Sequence, residues 1–312
     1  MTHLWKQTIT IDSKIARKLI ETQHHIPVAS ITLLDEGWDN IVYLVNDVLV
    51  FRFPRRELGL GCMENEIALL PYIAKHVTFP LSAPHWIGQP SDVYPFSFSG
   101  YSVLPGKPLC DATLSLIDNE AFACVLAAWL KELHEVNIRE KDFTALKGDQ
   151  NWRLNISHRI LRCNENLTQY ENYFIQAGFN KLQLQQIIEQ LSHLKITPFK
   201  KAYVHGDLYH RHVIVDPKNL LPTGLIDWGD IHISHPGIDL AVGMIFSDTA
   251  FTYFLNAYNR IDDETIAISL LHAFAHGMSF LPYAYDQAKE PLKRWAYLQL
   301  TNAINRIIKL DM

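Results

Sequence analysis

The chain has 312 residues, enough for one large domain or two ordinary ones, with 48% hydrophobic and 20% charged residues, as in globular proteins. A net charge of −5 excludes the basic stripe of a nucleic-acid binder, and there is no run of about 18 apolar residues, so no membrane partner is expected. The opening MTHLWKQTIT lacks the apolar stretch of a signal peptide, and the four cysteines (Cys62, Cys110, Cys124, Cys163) form no C-x-x-C pair, so free thiols in a reducing cytoplasm are expected.

The first third reads β-rich. Residues 28–54, VASITLLDEGWDNIVYLVNDVLVFRFP, contain three β-branched or aromatic runs, and Asn46-Asp47 is a tight-turn pair that predicts a hairpin over residues 40–53, closed by Pro54. CMENEIALLPYIAKH then reads helical, with Pro71 near its end. After a proline-rich passage, FSFSGYSVLPGKPL predicts a further strand that stops at Pro105-Gly106. LIDNEAFACVLAAWLKELHEV has apolar residues at helical spacing and acids in its first turn. NENLTQYENYFIQAGF, stopped by Gly178, and NKLQLQQIIEQLSHL predict two more helices. Short strands are expected at KAYV, HVIVD and TGLID, and a helical tail after Asp239. The pattern predicts an α+β protein: a β-rich lobe over 1–104 and a mostly helical lobe over 105–312 that also carries a small sheet. A ligand is expected at the cleft between lobes.

The densest chemistry lies in YVHGDLYHRHVIVD, residues 203–216, and in GLIDWGD shortly after it. A strand, a polar loop and a second strand present side chains from a fixed scaffold. Asp207 suits a base, His212 a cation ligand, and Asp227 is a hard oxygen ligand suited to Mg²⁺. The plainer reading is a polar turn in which His205 and Asp207 satisfy backbone groups. His210 and Arg211 are expected at solvent or near phosphate. His272 and His276 form an i, i+4 pair, but Ala273 stands where H-E-x-x-H requires Glu, so core or pocket-wall histidines are expected rather than zinc ligands.

VHGDLYHRHVIVD followed by GLIDWGD closely resembles the aminoglycoside phosphotransferase family, which has the protein-kinase-like fold. That resemblance implies a two-lobed fold with Asp207 as catalytic aspartate, His212 and Asp227 as metal ligands, and His205 bracing the loop. The family commonly has Asn at position 212; His there is similar to the 2''-aminoglycoside and macrolide kinase branches. The GWDN turn over 37–40 also resembles the family, which implies that Gly37 and Asn40 lie at the nucleotide. Arg52 stands where kinases place a phosphate-pairing Lys, on a strand face with Val48 and Val50, and Glu66 on the next helix is its implied partner. YSVLPGKPL occupies the position of the interlobe hinge, so backbone groups of Ser102 to Leu104 are implied to meet a purine edge. Asp230 is expected either as an acid behind the site residues or on the substrate rim, and Asp239 to brace the loop from a helix start.

The expected activity is transfer of the γ-phosphate of ATP or GTP, with Mg²⁺, to a hydroxyl of an aminoglycoside-like or other small acceptor. Two rivals remain from the residues alone. A metal-dependent hydrolase would use His205, Asp207, His210, His212 and Asp227 without Arg52, Glu66 or nucleotide. A non-catalytic kinase-like binding module would fit Arg52 and the sparse glycines, but not intact Asp207 and Asp227.

Overall fold

A computed structural model describes residues 9–37, 39–145, 149, 151–259 and 261–310. Trp38, in the predicted GWDN turn, lies outside the described residues. The chain divides into two compact units: one runs through Pro105 and includes Gly224–Ile231, the other comprises Gly106–Thr223 and His232 onward. The segment carrying Asp227 therefore packs with the first unit.

The first unit opens with α1 (Ser13–His24), whose first turn is capped by the Asp12 carboxylate accepting from Lys14 N and Ile15 N at 2.9 and 2.8 Å. His25, at φ 55°, ends it. The sequence reading has no helix here, although Asp12 and the Ala16, Leu19, Ile20 spacing carry its signal. Five antiparallel strands follow: β1 (Ile31–Glu36), β2 (Asn40–Val45), β3 (Leu49–Pro54), β4 (Trp86–Gly88) and β5 (Phe98–Ser102), in the order β1-β2-β3-β5-β4. The predicted hairpin is β2–β3. Asn46 and Asp47 both take left-handed φ, 52° and 59°, which matches the twist of paired strands. The Asn46 side chain also accepts from Ala29 N and Ser30 N. Alternation along β3 sends Phe51 and Phe53 into a core with Phe98, while Val50 and Arg52 face the other way; Val48 sits in the turn rather than on the strand. Each fully buried Phe contributes about 1.5–3 kcal/mol against exposure. The α2 helix (Glu57–Ile73) closes the unit, with Pro71 in its last turn.

The second unit begins at β6 (Lys107–Pro108), α3 (Glu120–Glu135), α4 (Asp142–Ala145), α5 (Ile156–Gln169), α6 (Glu171–Gln176) and α7 (Lys181–Ser192). Gly106 at φ 124° enters this unit where a Cβ would lie 2.4 Å from Val215 O, so only glycine fits. The single helix predicted over 164–179 is the end of α5 plus α6, broken at Tyr170, and α5 starts at an Asn155 cap. Next come β7 (Ala202–Val204), β8 (Val213–Val215), β9 (Pro222–Leu225) and β10 (His232–Ser234). β7 pairs with β10 and β6 with β8, both antiparallel. The tail is α8 (Gly237–Leu240), α9 (Asp248–Tyr258), α10 (Asp263–Asp286) and α11 (Glu290–Lys309). By length and composition α10 is apolar enough to cross a membrane, but 83% of its apolar window is buried inside the protein, as suits the core helix packed between α5, α8 and α11.

Candidate functional site

Two groups of predicted residues emerge, one in each unit. In the first, Arg52 projects from β3 and forks: Nη1 donates to Glu66 Oε1 at 2.7 Å and Nη2 to Asp227 Oδ1 at 2.9 Å. Glu66, on α2, is buried, and its other oxygen accepts from the Tyr101 hydroxyl, which meets Ser99 Oγ at 2.7 Å. Burial pushes the Glu66 carboxyl above its ordinary range, and the Arg52 guanidinium pulls the other way. For Arg52, burial disfavours the charge, but Glu66 and Asp227 outweigh it and hold the guanidinium protonated. The GLIDWGD segment folds so that Trp228 anchors it: fully buried, it donates from Nε1 to Leu225 O and stacks on Phe79. Asp227 takes left-handed φ, 62°, and its side chain stays 45% exposed while bound to Arg52. Asp230 lies near Cys62, whose thiol is pushed up to about 12 by burial and by neighbouring carboxylates, Asp230 first among them.

The β1–β2 loop is clamped by two arginines at the end of β3. Arg55 donates from Nη1 to Gly37 O and pairs with Glu36, and Arg56 pairs with Asp39. Gly37 N donates to Asn40 O at 3.0 Å, closing the turn between two of the predicted nucleotide residues. A Cβ at Gly37 would meet only Asn40 O at 3.6 Å, so the backbone does not demand glycine there. At the end of β5, Val103 N donates to Val48 O, and strand alternation turns the N–H and C=O of Ser102 away from β3, with Leu104 next in that phase.

In the second unit, β7 delivers the chain into the HGDLYHRH loop. Gly206 takes φ 85°, a left-handed turn suited to glycine. The loop backbone is held from below by Asp239 of α8, which accepts from His205 N at 2.7 Å and Gly206 N at 2.9 Å, and faces His134 Nε2 at 3.1 Å. Asp239 is fully buried; burial alone would raise its carboxyl, yet His134, His205 and the Gly206 N–H hold it below the ordinary range. Asp207 N donates to His205 Nδ1, and His212 Nδ1 donates to Asp207 O at 2.7 Å. His205 is fully buried, and its ring stacks on that of His212 at 5.8 Å.

The hydrogen bond to a carbonyl fixes the His212 proton on Nδ1, so its lone pair lies on Nε2, the arrangement typical of a metal-binding imidazole. Among the described residues no group of three or more His, Cys, Asp or Glu converges on a metal position. Mg²⁺ commonly takes one or two protein ligands and completes its shell with phosphate oxygens and water, so it needs no such group.

His210 corrects the sequence reading. It is fully buried rather than at solvent, stacked on Trp295 at 5.4 Å and edge-on to Phe280 at 5.2 Å, with burial pushing its pKa well down. His272 is buried, and His276 lies against Tyr209 at 4.8 Å and Phe280 at 5.4 Å; burial lowers both, His276 to about 3. Asp239 braces the loop from a helix start as the sequence reading expects, through two loop N–H groups; that reading missed Arg153 and Arg159, since neither arginine lies in a motif.

A family model described as phosphotransferase enzyme family matches residues 30–274. Among solved structures, the chain is similar to the GDP complex of wild-type aminoglycoside 2'-phosphotransferase-IIIa, at 22% identity and TM-score 0.68, covering 95% of this chain and 99% of that one. It is similar to the macrolide 2'-phosphotransferase apoenzyme from Brachybacterium faecium at 18% identity and TM-score 0.63, covering 93% and 98%. A third similar structure is an ADP-bound aminoglycoside phosphotransferase, at 17% identity and TM-score 0.58, covering 94% and 98%.

Proposed function

Because the chain belongs to the phosphotransferase enzyme family, we propose that it moves the γ-phosphoryl group of ATP or GTP to a hydroxyl of a small acceptor. One observation carries this reading: the β3 cation Arg52 is paired to the helix glutamate Glu66, the ion pair a kinase needs in place, and also reaches Asp227. A metal-dependent hydrolase makes no use of that pair.

The first unit holds the donor. Arg52 is the phosphate cation, Ser102 and Leu104 offer backbone groups to the base, and the Gly37–Asn40 turn, clamped by Arg55 and Arg56, covers the phosphates. The similar structures in complex with GDP and with ADP support a purine nucleotide of either kind. Asp227 of the first unit and His212 of the second are each proposed as a ligand for Mg²⁺, which when bound would neutralise phosphate charge. The second unit prepares the acceptor. Asp207 accepts the acceptor's hydroxyl proton as the oxygen attacks; the new P–O bond forms, the bond from the γ-phosphorus to the β–γ bridging oxygen breaks, and nucleoside diphosphate leaves. Asp239 fixes the backbone that aims Asp207, so positioning supplies much of the acceleration. The acceptor is an aminoglycoside-like or other small hydroxylated molecule, and four free thiols with nucleotide as co-substrate suit a cytoplasmic site of action.

The test is transfer of label from γ-labelled ATP and GTP to pooled hydroxylated acceptors with Mg²⁺. Label arriving in one pool supports the reading; an inability to bind either nucleotide sinks it.

A further inference from the structure

The second unit carries a cationic group that the phosphoryl-transfer residues do not use. Arg159 lies in the first turn of α5, and its Nε and Nη2 are sealed from solvent with no hydrogen-bond partner among the described residues. These two N–H groups form one edge of the guanidinium, the edge that grips a carboxylate or phosphate with two parallel bonds. On α10, which packs against α5, His272 is only 6% exposed and its Nδ1 also has no partner among the described residues. Buried polar groups in native proteins are nearly always satisfied, so two unmet groups near one another point to a ligand.

Their position is set by their neighbours. Arg159 is the strongest charge acting on both His272 and His276. His276 lies against Tyr209 of the catalytic loop, so the group borders the loop that carries Asp207. The carboxylates that act on Arg159 are Asp149 and Asp207. Asp149 is engaged elsewhere, accepting from Arg153 Nη1 at 3.3 Å and Leu154 N at 3.2 Å. Asp207 is reserved for the acceptor hydroxyl. A polycation placed here would meet Arg153 and Arg159 with like charge.

We propose that the acceptor carries an anionic group, a carboxylate or a phosphate, and that Arg159 with His272 receives it beside the catalytic loop. The proposal rests on the phosphotransferase reading above, which it narrows: the acceptor is a hydroxylated acid rather than a polycationic aminoglycoside. Tyr209, His276 and Phe280, in mutual ring contact, form the apolar wall next to that anion.

Two readouts test it on the full chain. The first is the rise in melting temperature with acetate, which needs no turnover, on wild type, Arg159→Gln and Arg159→Lys. The second is phosphate transfer to gluconate, to its neutral counterpart sorbitol, and to kanamycin, with nucleotide binding measured in parallel. The proposal predicts that acetate stabilises wild type and Arg159→Lys but not Arg159→Gln, and that gluconate is preferred to sorbitol and kanamycin. Loss of the charge-assisted bonds should raise the acceptor KM of Arg159→Gln about tenfold or more, while nucleotide binding holds. Equal acetate stabilisation of wild type and Arg159→Gln, or transfer preferring kanamycin, overturns it. Acetate stabilisation that depends on Arg159, in a chain that binds neither ATP nor GTP, keeps the anion site and defeats the phosphotransferase reading instead.

Discussion

Replacing Asp239 by Asn probes how the HGDLYHRH loop is held. The carboxylate accepts two loop N–H groups, from His205 and Gly206, and faces His134 with one of the same oxygens. Asn keeps a single acceptor oxygen. Whichever way its amide is turned, an NH₂ group confronts a backbone N–H that is buried and has lost its partner. A stranded buried donor costs about 1–3 kcal/mol, and the lost charge assistance adds a similar amount, so destabilisation of about 3 kcal/mol is expected. Urea unfolding at pH 7 measures it as a shift in midpoint at constant slope. The pH dependence gives a second check. The folded carboxyl sits below its ordinary value, so its stabilisation is fully present above the unfolded pKa of about 3.9 and is lost as pH falls through the lower folded value. The gap between wild type and variant should therefore narrow below about pH 4. A variant within about 0.5 kcal/mol of wild type at pH 7 would refute the idea that Asp239 holds the loop.

Three further outcomes follow from the same geometry. Arg52→Met should leave Glu66 buried without its cation and cost about 3–5 kcal/mol at pH 8, and less at pH 5, where a carboxyl whose pKa is already raised can protonate; thermal unfolding at the two pH values reads this. Gly206→Ala should cost about 1–3 kcal/mol through its left-handed φ, seen as a lower melting temperature. Buried His210, His272 and His276 stay neutral when folded but take protons near pH 6.5 when unfolded, so each should remove about 1.4 kcal/mol of stability per pH unit as pH falls from 6.5 toward the folded value, about 3 for His276. A stability flat between pH 7 and 5 would contradict that assignment.

Local chemistry made much of this protein legible from sequence. Asn46-Asp47 announced the β2–β3 hairpin because few residues tolerate two left-handed positions in succession. HGDLYHRH and GLIDWGD carried the family resemblance, and Arg52 with Glu66 followed from it by position. What stayed hidden depends on packing between distant segments. Nothing in GLIDWGD says that Trp228 will anchor Asp227 in the first unit and bring it to Arg52, 175 residues earlier. His210 reads as a polar loop residue until Trp295 and Phe280 close over it. Arg159 sits in an ordinary amphipathic helix, and its unmet N–H groups become visible only once α10 is laid beside α5.

We propose a kinase whose acceptor is prepared by Asp207. The most direct measurement is γ-phosphate transfer from labelled ATP and GTP to the acceptor panel by wild type and Asp207→Ala, with nucleotide affinity measured on both. Turnover should fall by at least about 10²–10⁴-fold in the variant while nucleotide affinity is retained. Equal turnover by the two proteins would contradict it.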